Sequence, residues 1–120
     1  MKFGLVGADL LAYGHPGPCG DPASGVVAGS SSISINGVDI AAKDESSMNF
    51  ASHGHDVDDE GNCISFSSHN VQPDSSGLSG TVRIDGGPVY LAVSNAGTDP
   101  GTGGNIDYSN TGGNETVGAK

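Results

Sequence analysis

The sequence predicts an all-β fold of tight hairpins joined by long loops. Ile33 and Ile35 stand two apart before Asn36-Gly37, and Val38, Ile40 and Ala42 alternate with Asp39 and Ala41 after it. Residues two apart share a face of a strand, and Asn-Gly takes positive φ cheaply, so residues 30–42 read as a hairpin with a two-residue turn. The pattern returns at residues 81–92, where Val82 and Ile84 stand for Ile33 and Ile35, Asp85-Gly86 for Asn36-Gly37, and Val89 for Ile40. Such a repeat suggests pseudo-symmetric units that share one core. No stretch reads as a helix of note.

The other elements follow from local pattern. Residues 1–12 are mildly apolar through Phe3, Leu5, Val6, Leu10 and Leu11, and read as an edge strand or a short docking segment. Residues 13–22 hold three prolines and three glycines, which excludes a helix or a central strand and leaves a stiff loop. Residues 25–29 form a short strand that feeds the first hairpin. Residues 43–50 are polar, with Met48 and Phe50 turned inward. Residues 52–62 are a charged, exposed loop, and Cys63-Ile64-Ser65-Phe66-Ser67 alternates as a strand. Residues 97–120, rich in Gly, Thr, Asn and Asp, form a tail that is mobile or ordered by a neighbour, outside a β domain of residues 1–96.

The 120 residues leave room for one domain. Only 34% of them are hydrophobic and 21 are glycine, so the core is thin. Small domains with thin cores need a metal, a disulfide or a partner. The net charge of −10, with only Lys2, Lys43, Arg83 and Lys120 basic, argues against nucleic acid and against anionic lipid headgroups. Residues 3–9 are too short and polar for a signal peptide, and no stretch is long enough to span a membrane. Synthesis in a cytoplasm, with both cysteines reduced, is the expectation.

Every histidine and both cysteines fall in two regions: His15 and Cys19 in one, His53, His55, Cys63 and His69 in the other. Each region precedes one copy of the hairpin. If the copies are related by symmetry, the two regions converge at one end. Imidazole and thiolate donors there suit tetrahedral Zn²⁺, or Fe²⁺ if nitrogen dominates. The bland alternatives are surface histidines and a Cys19–Cys63 disulfide or two inert thiols. Asp56-Val57-Asp58-Asp59-Glu60-Gly61 mimics the start of a calcium loop, but Ser67 stands where a bidentate Glu is needed, so it reads as a solvated acidic loop. No nucleophile elbow, opposed carboxylate pair or phosphate loop occurs, and no enzymatic activity is expected.

Residues 29–44, Gly-Ser-Ser-Ser-Ile-Ser-Ile-Asn-Gly-Val-Asp-Ile-Ala-Ala-Lys-Asp, resemble the repeat of PAAR-type spike-tip proteins, with Ala41-Ala42-Lys43 standing for Ala-Ala-Arg. The likeness extends over about residues 14–96. Ile40 replaces the family's Pro, and the second copy ends in Tyr90-Leu91-Ala92. The resemblance implies a small cone of β-hairpins with pseudo-three-fold symmetry, pinned near its point by a structural metal held by about three His and one Cys. Carried over by position, His15 matches the His before the first repeat, His53 or His55 that of the loop after it, and His69 that before the second. The ligand set is therefore His15, His55, Cys63 and His69, with His53 and Cys19 as substitutes and Zn, or alternatively Fe, as the ion.

The resemblance further implies the tip of a membrane-piercing spike in a phage tail, type VI secretion system or extracellular injection particle. One copy would sit on a trimeric spike protein, VgrG-like or a phage central spike, and would touch the target envelope transiently. The alternatives are a β-rich metal-binding adhesion or receptor-binding tail domain, or a small metal-dependent enzyme.

Overall fold

A computed structural model of the chain describes residues 2–20, 22–29, 31–35, 37–99 and 104–110. It is all-β. The strands are β1 (Asp9–Ala12), β2 (Ala23–Gly29), β3 (Ser34–Ile35), β4 (Val38–Asp39), β5 (Ser46–Phe50), β6 (His53–Val57), β7 (Cys63–Phe66), β8 (His69–Val71), β9 (Leu78–Ile84), β10 (Gly87–Tyr90), β11 (Gly97–Thr98) and β12 (Asn105–Tyr108). Two 3₁₀ turns, Gly17–Cys19 and Ser75–Gly77, are the helical pieces among the described residues.

Both expected hairpins are present. Ile35 pairs with Val38 and Ser34 with Asp39 across β3–β4, and Gly37 has φ +82° at the turn. Asn36 lies outside the described residues. Across β9–β10, Ile84 pairs with Gly87, and Asp85 and Gly86 take φ +50° and +86°. Positive φ at both central residues is the twist that fits a two-residue hairpin. The two hairpins touch, with Ser32 Oγ donating to Asp85 Oδ2 at 3.0 Å.

The return strands of these hairpins meet a third segment, residues 2–6, in a closed triangle of backbone hydrogen bonds. Gly4 N–H donates to the Tyr90 carbonyl, Tyr90 N–H to the Ala41 carbonyl, and Ala41 N–H to the Gly4 carbonyl, at 2.8, 2.9 and 2.9 Å. The bonds two residues on repeat the cycle: Val6 to Asp39, Lys43 to Pro88, Ala92 to Lys2. So do the antiparallel bridges Leu5–Ile40, Ala42–Val89 and Phe3–Leu91. Gly4, Ala41 and Tyr90 are thus equivalent corners of a pseudo-three-fold arrangement. Each arm is then turned by a residue with left-handed backbone: Gly7, Asp44 and Asn95.

The triangle is a wall between two apolar cores. On one side lie Phe3, Leu5, Ile40, Ala42, Ile84, Val89 and Leu91, with Ile35, Val38, Val82 and Val93 against them. On the other lie Ala8, Leu10, Ala12, Val27, Ala41, Met48, Phe50, Tyr90 and Ile106. Strand alternation sorts neighbours to opposite sides, so Ala41 and Tyr90 face one core while Ala42 and Val89 face the other.

Beyond the wall, three strand pairs form a six-stranded antiparallel sheet in the order β11-β12-β1-β2-β5-β8. Each pair runs out and back: β1 with β2, β5 with β8, β11 with β12. Their distal connections point the same way. Two expectations are corrected here. β1 lies centrally, between β12 and β2, rather than at an edge. The fold also does not end at residue 96, because β11 and β12 complete the sheet and bury Ile106. Residues 111–120 of the expected tail lie outside the described residues.

Leu5 is 1% exposed beside the triangle and Ile33 is 50% exposed on the first hairpin. Leu5→Ala is expected to cost about 2–5 kcal/mol and Ile33→Ala within about 0.5 kcal/mol. Urea unfolding midpoints check the contrast.

Candidate metal centre

The distal ends of the three strand pairs bring five side chains to one place. His15 comes from the loop after β1, His53 and His55 from β6, His69 from the start of β8, and Asp99 from the connection after β11. Asp99 is the hub. Its Oδ2 lies 2.8 Å from His15 Nε2, 3.2 Å from His53 Nε2 and 3.3 Å from His55 Nε2. Its Oδ1 lies 2.9 Å from His69 Nε2. His15, His53, His55 and Asp99 each offer a ligand atom within 4.8 Å of one another, a group that could hold a metal ion.

Local backbone geometry aims these donors. His53 Nδ1 donates to the Ala51 carbonyl at 2.8 Å, and His69 Nδ1 donates to the Ser67 carbonyl at 2.9 Å. An imidazole tethered through Nδ1–H presents the lone pair of Nε2, the second-shell arrangement that orients metal-ligating histidines. His53 and His55, two apart on one strand, project to the same side, and their Nε2 atoms are 2.6 Å apart. Phe66 stacks on His55 with ring centroids 4.6 Å apart, and Phe50 on His69 at 5.8 Å. Asp99 closes its own connection, its N–H donating to the Gly104 carbonyl at 2.8 Å.

The electrostatics favour an ion. Asp99 is fully buried. With Nδ1–H committed, the neutral rings of His53 and His69 turn acceptors toward a carboxylate that is itself only an acceptor. Protons on every Nε2 would relieve this, but would crowd imidazolium charges together. Burial holds His55 below the ordinary histidine value, and the neighbouring His53, His69 and His15 push the same way against the pull of Asp99. For Asp99, burial pushes the carboxyl up, but Nε2–H groups on His69, His53 and His15, wherever those nitrogens carry a proton, donate to it, outweigh the burial and hold the group below the usual carboxylate value. A neutral imidazole and an ionised carboxylate are the ligating forms, and one cation satisfies both.

The sequence-expected donors divide cleanly. His15, His55 and His69 converge, and the substitute His53 joins them. Cys63 does not, and neither does Cys19. The two sulfurs form a disulfide, so the expectation of reduced thiols with one thiolate ligand is corrected. Strand parity gives the reason. The disulfide packs against Gly54, where a Cβ would collide with both sulfurs. Gly54 lies between His53 and His55, so its outer face is turned away from the imidazoles. Asp99 supplies the anionic donor instead. The acidic run keeps its expected exposure, with Asp58 Oδ1 accepting from the backbone N–H groups of Glu60 and Asn62 at 2.9 and 2.8 Å.

Two predictions follow from this charge arrangement. His55 is depressed below 6.5 in the fold, so the unfolded chain takes up more protons as pH falls. Its stabilisation is present above that value and lost as pH drops through the folded pKa; melting temperature against pH, from 8 down to 5, should show the fall. Asp99→Asn keeps the shape but removes the charge, and is expected to reduce bound metal at least about tenfold, as read by elemental analysis after gel filtration. The chain matches no protein-family model, no curated protein and no solved structure, so the role of this centre is to be read from its own geometry.

Proposed function

We propose that the protein is the metal-pinned tip of a membrane-piercing spike in a contractile tail or injection machine, of the PAAR type, seated as one copy on a trimeric spike protein. The observation that carries this reading is the pseudo-three-fold triangle of Gly4, Ala41 and Tyr90, whose three arms each deliver a loop to the His/Asp cluster. A single chain that repeats its backbone contacts three times can meet a three-fold partner with equivalent surfaces on every side. The hairpin end is the seat, with its short strands and the exposed Ile33. The His/Asp end is the point, and the elongated body, 49 × 24 × 22 Å along its principal axes, suits this role.

The ion is structural in this reading. His15, His53, His55, His69 and Asp99 would hold it, and a donor set drawn entirely from protein leaves no position for substrate. Nitrogen dominates the set, which suits zinc or ferrous iron. Its contribution is to tie three loops where the body is too narrow for an apolar core, since a bound metal adds its binding free energy to folding. Force from sheath contraction then falls on a small, rigid point.

The competing reading is a metal-binding adhesion or receptor-binding tail domain. Ile64 and Phe66 favour it, being 47% and 40% exposed on β7. Purification of the native particle separates the two. A spike tip predicts one ion per chain and one chain per three copies of its partner, with Ile33→Asp lowering its recovery on the particle. Three chains per trimer, or adsorption of the free protein to target cells, would support the adhesin.

A further inference from the structure

The Cys19–Cys63 disulfide lies directly behind the metal centre, and its surroundings give it a second role. Residues 51–70, which carry His53, His55 and His69, contribute nothing to either apolar core. β7 is exposed along its whole length, and the 3₁₀ turn Gly17–Cys19 buries no residue, yet the two pack together and against β6. What holds the β6–β7 hairpin to the loop of His15 is therefore the donor cluster on one face of β6 and the disulfide on the other. The disulfide joins positions 44 residues apart. It seats on Gly54, the residue between the two β6 histidines.

We propose that this disulfide is a redox latch for the metal centre: closed, it holds His15 beside His53 and His55, and opened, it lets the hairpin swing and weakens the ion's hold. The inference rests on the metal centre proposed above. Two cross-links that share one short strand are thermodynamically coupled, so each strengthens the other by the same factor. Closure needs an oxidant of the disulfide class, such as oxidised glutathione. The exposed Cys63 attacks it as a thiolate, releasing one glutathione thiol and forming a mixed disulfide. The Cys19 thiolate then displaces the second glutathione. Two electrons pass to the glutathione disulfide, and the two thiol protons leave with the released thiols.

Two measurements test the latch. Zinc affinity is compared, by competition with a chromogenic chelator, for the oxidised protein and for Cys19→Ser/Cys63→Ser, which lacks both latch and thiolates. The double variant is expected to bind zinc roughly 5–150-fold more weakly. In the second, the wild-type chain is equilibrated in a glutathione redox buffer with and without saturating zinc. Zinc is expected to shift the equilibrium toward the disulfide by the same factor, a readout that does not depend on the variant folding. Equal affinities, or an equilibrium that zinc leaves in place, overturn the latch and leave the metal centre standing. A shift toward the dithiol also overturns it, because it means the freed thiolates bind the metal. Failure of every form to bind either zinc or ferrous iron overturns latch and centre together.

Discussion

Closure of the triangle at Gly4, Ala41 and Tyr90 is the constraint on which the molecule depends. Three strands meeting pairwise leave none of the corner amides unpaired, because each donates to the next. Buried backbone groups must find partners, and three short segments do so here without a continuous sheet. The closure also fixes direction. Each arm leaves its corner toward the same side, turns at Gly7, Asp44 or Asn95, and enters a strand of the six-stranded sheet. The topology carries the segments that bear His15, the β6 histidines and Asp99 toward one end, where the contacts around Asp99 and the Cys19–Cys63 disulfide hold them together.

That arrangement divides the stabilising interactions along the body. Near the triangle, apolar side chains fill both sides of the wall. Toward the His/Asp end the apolar cores stop: past Phe50, Ile64 and Phe66 of the β6–β7 hairpin belong to neither and are 47% and 40% exposed, Phe66 packing on His55 instead. Polar cross-links take over, comprising the cluster around Asp99, the disulfide on Gly54 and the turn organised by Asp58. Covalent and coordinate links are the usual substitute where a core is too small.

Much of this was legible in the residues, and the gaps have physical causes. Asn36-Gly37 and Asp85-Gly86 announced both hairpins, because a two-residue turn with positive φ narrows the choice of amino acid sharply. The repeat they mark pointed to converging loops, and four histidines do converge. The third corner was hidden. Phe3 and Leu5 alone are too short a pattern to mark residues 2–6 as a strand. Asp99 was hidden for a different reason. It is one of 14 acidic residues and lies in a stretch that reads as tail. Its distance beyond Tyr90, close to that of His15 beyond Gly4, becomes a signal only once the corner residues are known. The cysteines were hidden because residues 52–62 read as an exposed loop, whereas His53–Val57 is strand β6, and its alternation sends Gly54 away from its neighbours.

Exchanging a thiolate for a carboxylate changes what the centre can withstand. A ligating thiolate can be oxidised and lost, whereas a carboxylate has no such ladder to climb. The chain spends both its cysteines on a cross-link that oxidising surroundings preserve, and the anionic donor of the cluster is Asp99. A single buried carboxylate among neutral imidazoles would leave a divalent cation only partly neutralised. The chain's net charge of −10 would offset such a residual positive charge more readily than a basic chain would. Separating the two chemistries also makes their coupling mechanical. The donor cluster and the disulfide share no atom, and are joined through the strand that carries His53, Gly54 and His55 and through the loop that carries His15 and Cys19.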